Sequence, residues 1–295
     1  MKHFSIVKHA KIFLSISAIF LLIGICSMIF RGFNLGIDFT GGSIIDLKFD
    51  NPVTVSQVRD VLSDHKLGNS IIQLGGTDGN QVQESQSVLI RTGLITDDQR
   101  VETMNDMTQR LGANQVLRVE NVGATVGKDL VKQAIGAVAL SWVLMIIYIT
   151  IRFEHNFAFA AIIALIIDVM VTLSWFSLLH LEMDSSFVAA LLTVVGYSIN
   201  GTIVIFDRIR ENLHTHRRSE SMGDMVDNSI WQTMTRSIYT TVTTLFAVVA
   251  ILLFGGETIK TFAFAMFVGF SSGFYTSTFL AGPMWLALKG RKKRA

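Results

Sequence analysis

Six long apolar segments constrain the fold of this chain more than any other feature. A helix needs about 20 apolar residues to cross a bilayer, and most of these segments reach that length. The composition agrees, because 50% hydrophobic and only 16% charged residues exclude an ordinary soluble domain. The sequence therefore predicts a polytopic α-helical membrane protein with six transmembrane helices. The segments are residues 12–30, 130–151, 157–179, 186–206, 238–254 and 261–288.

The distribution of positive residues predicts the orientation. With the first residue in the cytoplasm, the short outside loops 180–185 and 255–260 hold only Lys260. Positive residues favour the cytoplasmic side in short loops, so we predict that both ends are cytoplasmic and that residues 31–129 lie outside. The basic tail can also touch anionic lipid, although topology alone explains it. The cytoplasmic positive residues are Lys2, Lys8, Lys11, Arg152, Arg208, Arg210, Arg217, Arg218, Arg236, Lys289, Arg291, Lys292, Lys293 and Arg294.

The first segment follows several lysines, as the apolar part of a signal peptide does. It is long for that role, and no small-residue cleavage site precedes Arg31, so we interpret it as an uncleaved anchor helix. The predicted domains are then 1–30 (cytoplasmic start and first helix), 31–129 (outside domain), 130–288 (helices two to six) and 289–295 (basic tail).

The outside segment reads as a small α+β domain between the first and second helices. Alternating apolar residues predict strands, and helical spacing predicts two helices, the second with Thr96 as its N-cap. Gly75-Gly76 and Asp78-Gly79 predict the turn between the second and third strands. The resulting order β-α-β-β-α-β is the ferredoxin-like pattern. In chain order the elements are 43–49, 53–65, 71–74, 87–91, 97–111 and 116–119.

A glycine-rich stretch lies between the first helix and this domain. Its glycines permit tight backbone geometry. It is either a shaped linker into the first strand or a base that couples domain movement to the first helix. No P-loop lysine follows it, so nucleotide binding is not expected. The residues of this base motif are Gly36, Asp38, Thr40, Gly41 and Gly42.

Polar side chains inside the apolar segments are the candidate functional groups. Asp168 lies within the third segment, where a charged carboxylate costs about 2.5–3.5 kcal/mol, so it must be paired, protonated or hydrated. It either makes a helix-packing hydrogen bond or forms part of a proton route. Ser198 and Asn200 make the fourth segment polar, which indicates that this helix faces protein or water.

The fifth segment can be extended by the preceding Met234 to Ser237, which places Arg236 at its start, and it continues with hydroxyl groups. From the residues alone, Arg236 reads as an interfacial arginine whose head reaches water. Thr240 and Thr244 can hydrogen-bond across helices, or only to their own backbone. Outside, Glu182 and Asp184 are either a solvated surface or a proton entrance.

A charged cluster ends the fourth segment on the predicted cytoplasmic side. Its residues are Asp207, Arg208 and Arg210. A basic helix end is ordinary for topology and for the helix dipole. Contact with a partner protein or with lipid is the alternative.

Three motifs together resemble the SecF family of the bacterial Sec machinery. They are Gly36–Gly42, then Val195–Asn200 followed by Phe206–Asn212, then Thr235–Thr244, in this order across essentially the whole chain. The resemblance implies half of an RND-type transporter: six helices and an extracytoplasmic domain. It also implies a multi-pass protein of the bacterial cytoplasmic (inner) membrane.

The resemblance implies a function in protein export. Such a subunit pairs with SecD, associates with the SecYEG channel and YajC, and promotes export of unfolded polypeptide after SecA-driven insertion. The proton-motive force assists through intramembrane polar residues. The candidates for that proton relay are Asp168, Asn200, Ser198, Arg236, Thr240 and Thr244.

Two positions depart from the family pattern. Gly201 stands where these proteins usually carry Asp, and Ile167 stands where many carry His. Both changes remove titratable groups, so coupling is either weakened or uses Asp168, Arg236 or groups of SecD.

Two other functions stay open: an RND-like exporter of lipids or small molecules, and a non-transporting scaffold that stabilises SecD and the channel. The sequence has no nucleophile–base set, metal spacing or nucleotide fingerprint. It therefore predicts no enzyme, no cofactor, no metal site and no nucleic-acid partner.

Overall fold

A computed structural model describes residues 4–75, 84–216 and 221–292 of the chain. Several residues of the topology and turn predictions lie outside these ranges, namely Lys2, Gly76, Asp78, Gly79, Arg217, Arg218, Lys293 and Arg294. The chain divides into two compact units. Met1–Asn34 and Gly136–Ala295 form the helical unit, and Leu35–Ile135 forms the α/β unit.

The elements follow each other in this order: α1 (Ala10–Arg31), β1 (Asn34–Leu35), α2 (Ile37–Thr40), β2 (Gly42–Val53), α3 (Val55–Asp64), β3 (Ile71–Leu74), β4 (Ser85–Thr92), α4 (Asp97–Leu111), β5 (Asn114–Val122), α5 (Ala124–Arg152), α6 (His155–Leu179), β6 (Glu182–Met183), α7 (Ser185–Thr215), α8 (Met222–Phe254), α9 (Glu257–Tyr275), a π-helical turn (Thr276–Ala281) and α10 (Gly282–Lys292).

The described ranges contain six helical spans that are long and apolar enough to cross a membrane. These are α1, α5, α6, α7, α8 and one continuous last span, Ile259–Gly290, which contains the π-helical turn. The prediction of six spans is confirmed. The predicted bounds of the fourth and fifth were too short, because polar turns extend α7 to Thr215 and begin α8 at Met222.

Close helix contacts hold the helical unit together at small residues. A Cβ on Gly24 would overlap the Ser174 side chain, so α1 and α6 approach each other closely there. A Cβ on Gly269 would overlap Val194 in the same way, at the contact of α9 with α7. Small residues permit this approach, and within a bilayer close packing is a main source of helix association.

One end of the helical unit carries a group of five described positive residues, and we call it the basic end. The indole of Trp231 donates to the Phe4 carbonyl at 2.9 Å, so residues before α1 meet the start of α8. Arg210 on α7 donates to the carbonyl of Arg152 at the end of α5. The basic end comprises Lys8, Lys11, Arg152, Arg208 and Arg210.

The α/β unit is built on a four-stranded antiparallel sheet with the strand order β3-β4-β2-β5. Ile45 on β2 lies opposite Ile90 on β4 and Val119 on β5. Residues 97–111 form α4, as predicted, and Thr96 caps it through a capping box with Gln99. The core of this unit consists of Ile45, Leu47, Phe49, Val53, Val58, Val61, Leu62, Val88, Ile90, Ile95 and Met107.

Candidate functional site

Asp168 lies near the middle of α6 and is fully buried. Three hydroxyl groups surround its carboxylate. Ser198 of α7 and Ser272 of α9 each donate a hydrogen bond to one oxygen, the second at 2.6 Å. Thr276 lies 2.9 Å from both oxygens. We call this group of four residues the carboxylate cage.

The last helical span builds one side of the cage. Ser272 and Thr276 are four residues apart, so they lie on the same helix face one turn apart. Thr276 also begins the π-helical turn, a local irregularity that is frequent at functional sites. Gly273 lets α7 come close, because a Cβ there would lie 3.0 Å from the Cβ of Ser198.

The chemistry of the cage suits a group that changes its protonation state. An ionised carboxylate only accepts hydrogen bonds, and three hydroxyl donors satisfy it here. A hydroxyl both donates and accepts, so it can reorient to accept from a protonated Asp168. The cage can therefore hold either form of Asp168 without leaving it unpaired.

A second polar cluster lies between α7, α8 and the last span. It surrounds a cavity of about 60 Å³, and we call it the arginine pocket. The hydroxyl of Tyr197 donates to that of Thr241 at 3.0 Å across the α7–α8 contact. The lining residues are Tyr197, Asn200, Gly201, Val204, Arg236, Ser237, Thr240, Thr241, Gly273, Phe274 and Ser277.

The residues singled out in the sequence thus divide between two places. Asp168 and Ser198 meet in the carboxylate cage, whereas Asn200, Arg236 and Thr240 line the arginine pocket. Thr244 donates to the Thr240 carbonyl at 2.8 Å, the bond to its own backbone considered above.

Sequence reasoning missed two members of the cage. Neither Ser272 nor Thr276 was among the candidate residues. The available signal was a pair of hydroxyl residues four apart within an apolar segment.

The outside-loop candidate Asp184 caps a helix. Its carboxylate accepts hydrogen bonds from the Phe187 amide at 2.9 Å and from the Ser186 hydroxyl at 2.6 Å. These contacts make it the N-cap of α7 and satisfy a donor that a helix start leaves unpaired.

The charged cluster at the end of α7 forms an ion network at the basic end. Asp207 lies 3.4 Å from Arg152 and 3.3 Å from Arg210. Arg208 contacts Glu211 and Gln232, each at 2.6 Å. The groups are partly exposed, so the pairs contribute little to stability.

The glycine-rich base motif forms the single helical turn α2 and its exit into β2. Thr40 donates to the Gly36 carbonyl at 3.1 Å. Gly41 and Gly42 have φ angles of 74° and 135°, which L side chains rarely adopt. The backbone leaves the turn in a conformation that requires glycine.

Comparisons with known proteins agree on one family. Residues 102–291 match the family model of the C-terminal part of protein export membrane proteins SecD/SecF, and residues 27–53 match the SecD/SecF GG motif. The protein translocase subunit SecF of Acidaminococcus fermentans is 78% identical over 294 residues, which cover 100% of both chains.

Longer proteins and a solved structure match as well. SecDF of Bacillus subtilis is 36% identical, over 96% of this chain and 38% of its own length. The crystal structure of SecDF, a translocon-associated membrane protein from Thermus thermophilus, superimposes with a TM-score of 0.88 and 32% identity. The match covers 98% of this chain and 39% of that one, so this chain spans about two fifths of the length of the SecDF protein.

Proposed function

The chain belongs to the SecD/SecF family and is a SecF-type subunit of the Sec protein translocase, and we propose that it acts with a SecD partner to assist polypeptide export by the proton-motive force. The observation that carries this proposal is the full-length identity of 78% to a SecF subunit. In the proposed cycle, SecA drives insertion of unfolded polypeptide into the SecYEG channel. The pair then promotes its release on the outer side, and YajC is a further proposed partner.

The SecDF relatives and the exposed helices support pairing with SecD. In Bacillus subtilis SecDF the counterpart of this chain is 38% of a single polypeptide. Within the described part of this chain, only 6% of the residues in the most apolar stretch of α5 are buried. The buried share in the most apolar stretch of α8 is 17%. A second set of helices can cover these faces, as expected for half of an RND-type transporter.

The sheet supports a ferredoxin-like fold for the α/β unit. Strands and helices alternate as β2-α3-β3-β4-α4-β5, and the first and third strands lie side by side in the sheet centre. This arrangement suits the β-α-β-β-α-β motif. We propose that this unit lies outside the membrane and contacts emerging polypeptide, with domain bounds at 31–129.

The basic end supports the proposed orientation. Lys8, Arg152 and Arg208 belong to segments that meet at one end of the helical unit. Positive residues flank the cytoplasmic side of membrane helices. We therefore propose that this end faces the cytoplasm of a bacterium and that the protein lies in the inner membrane. The first and the last described helix each have one end at the basic end.

The carboxylate cage supports a role for Asp168 in coupling. A buried intramembrane carboxylate is a functional candidate, because placing it in a bilayer is costly. Its three hydroxyl partners come from α7 and the last span, so a change in protonation acts on helices other than α6. We propose Asp168 as a proton-binding group of the subunit.

Export measured in cells that depend on this chain tests the proposal. We expect Asp168→Asn to slow the release of a pulse-labelled secretory precursor while the complex with SecD stays at its normal level. An uncoupler should slow export by the unchanged chain and have less effect on the variant. Asp60→Asn is the matched control, because Asp60 is exposed on α3.

Other outcomes would favour other functions. Normal export by Asp168→Asn that stays uncoupler-sensitive would remove Asp168 from the proton route. Uncoupler-insensitive export by the unchanged chain would leave a scaffold that stabilises SecD and the channel. Isolation of the chain paired only with itself, without SecD, SecYEG or YajC, would favour a separate exporter of lipids or small molecules.

A further inference from the structure

A groove on the surface of the helical unit lies between α1, α6 and α9, and we call it the lateral groove. Its volume is about 510 Å³, within the range of about 300–1,000 Å³ that is usual for small-molecule sites. On α6 it is lined by Ile167, Val171, Trp175 and Leu179, which follow each other at intervals of four residues. Phe20 of α1 contacts Trp175 with ring centroids 5.6 Å apart, so α1 and α6 form one continuous wall.

The lateral groove has the length of one leaflet. Ile167 and Leu179 mark its two ends on α6 and are 12 residues apart, about 18 Å of helix. Half of a hydrocarbon core of about 30 Å is close to this length. Beyond Ile167, Phe13 of α1 stacks on Phe279 of the last span with ring centroids 4.6 Å apart, which closes the groove. A spanning helix of another protein would need a groove of the full thickness, so the length favours a lipid chain.

The hydroxyl groups in the wall of the groove are used within the protein. Ser272 donates to Asp168 at 2.6 Å, so the lateral groove lies directly behind the carboxylate cage. With their hydrogens bonded internally, these hydroxyls offer a ligand no donor, and the groove suits an apolar chain better than a polar molecule. The other three donate to backbone carbonyls, namely Ser17 to Phe13 at 3.2 Å, Tyr275 to Phe13 at 2.8 Å and Ser271 to Phe267 at 2.7 Å.

A positive charge lies at the open end of the lateral groove. Arg31 ends α1 and is exposed, and its guanidinium donates to the Leu178 carbonyl at 2.8 Å, beside the groove residue Leu179. Arg31 follows Phe20 by 11 residues, which is about three helix turns, so both lie on the same face of α1. A guanidinium has five N–H donors in a planar fork that suits a phosphate. The other donors of Arg31 can therefore bind the headgroup of a lipid whose chain lies in the groove.

We propose that the lateral groove binds one phospholipid, with an acyl chain in the groove and the phosphate at Arg31. The chain packs against Ser272, the hydroxyl that holds Asp168 from its other side. The bound lipid therefore covers the carboxylate cage on the membrane side. The site requires only that the helical unit lies in a bilayer, whereas its assignment to the outer leaflet rests on the proposed orientation.

Photolabelling of the complex tests the site. The full chain with its SecD partner is placed in nanodiscs that contain a trace of phosphatidylglycerol with a diazirine at the end of one acyl chain. A second probe carries the diazirine beside the ester group. We expect the chain-end probe to label Ile167 or Ser271, and the ester probe to label Trp175 or Leu179.

The pattern of labelling distinguishes a site from ordinary boundary lipid. Leu22 is exposed on α1 and does not line the groove, so we expect it to be labelled less than Ile167 by the chain-end probe. Equal labelling of the two would overturn the proposal. If instead the chain-end probe labels Leu179 and the ester probe labels Ile167, the lipid enters from the opposite leaflet, and a phosphate at Arg31 is ruled out.

A variant that fills the groove tests the position of the chain. Val171→Phe places a ring one turn from Ile167, so the chain-end probe should no longer label Ile167, while labelling of Leu179 by the ester probe persists. Ile166→Phe is the matched control, because Ile166 is exposed on α6 and does not line the groove. Unchanged labelling of Ile167 in Val171→Phe would place the chain elsewhere and overturn the proposal.

A second variant tests the headgroup. Hydrogen bonds to charged groups are strong, so Arg31→Gln should lower labelling by both probes about tenfold when the probes are limiting. Lys11→Gln should leave labelling unchanged, because Lys11 is exposed at the opposite end of α1. Equal labelling in both variants would show that Arg31 does not hold the phosphate. Export is measured separately, so these results leave the proposed function to its own test.

Discussion

The hydroxyl oxygen of Thr276 lies 2.9 Å from each carboxylate oxygen of Asp168. This one side chain therefore connects the last helical span to both oxygens of a fully buried acid on α6. Ser198 and Ser272 each contact only one of them. Thr276 is the hydroxyl whose loss should change the cage most.

Thr276→Val should destabilise the helical unit. Valine keeps the shape of threonine but cannot donate, so a buried carboxylate loses a partner, which costs about 1–3 kcal/mol. The measurement is the free energy of unfolding of the purified chain in micelles. Thr278→Val is the matched control, because the buried Thr278 hydroxyl has no hydrogen-bond partner among the described residues. Equal losses in both variants would show that the hydrogen bond to Asp168 is not the cause.

Gly269→Ala should weaken the contact between α9 and α7. Its Cβ would overlap the Val194 side chain, and overpacking of this kind costs about 1–3 kcal/mol. Thermal unfolding of the purified chain measures the loss. The control is Gly196→Ala on α7, where a Cβ meets no described atom within 4 Å. A stable Gly269→Ala variant would mean that the two helices can separate without cost.

Gly42→Ala should disturb the start of β2 in the α/β unit. Gly42 has a φ of 135°, and a Cβ there would lie 2.5 Å from the Thr92 carbonyl oxygen. An incompatible alanine of this kind destabilises by more than about 1 kcal/mol. Hydrogen exchange of the β2 and β4 amides in the full chain measures the effect. Gly93→Ala serves for comparison, since its Cβ would meet no described atom within 4 Å, and unchanged exchange in both variants would contradict the prediction.

Asp184 offers a test between a helix cap and a proton entrance. Asparagine also caps helices, so Asp184→Asn should leave stability and proton-driven export unchanged. Asp184→Ala removes the acceptor for the Phe187 amide and should cost about 1 kcal/mol. The measurements are thermal unfolding and export with and without an uncoupler. An export defect in Asp184→Asn at normal stability would instead support the proton entrance.

The sequence predicted the elements of this protein better than the contacts between them. Hydropathy located the six spans, and Thr96 marked the start of α4. These features are local, so a single segment carries the whole signal. The start of α8 at Met222 was missed, because the first turns of this helix carry polar residues and precede the apolar segment.

The candidate site depended on contacts that no single segment encodes. Asp168 stood out because an acid in an apolar run is rare, but its partners Ser272 and Thr276 are more than a hundred residues away. Asn200 and Arg236 were grouped with Asp168 because all lie in membrane segments. Which face of each helix they occupy depends on packing at small residues such as Gly273, and this packing separates them.

Adjacent residues of the last span serve the two polar clusters. Ser272 and Thr276 contact Asp168, and Gly273 and Ser277 line the pocket of Arg236. Successive helix residues differ by about 100° in direction, so this one helix forms a wall shared by the acid and the cation. The two charges therefore cannot be regulated independently, because any rotation or sliding of that wall alters the surroundings of both at once.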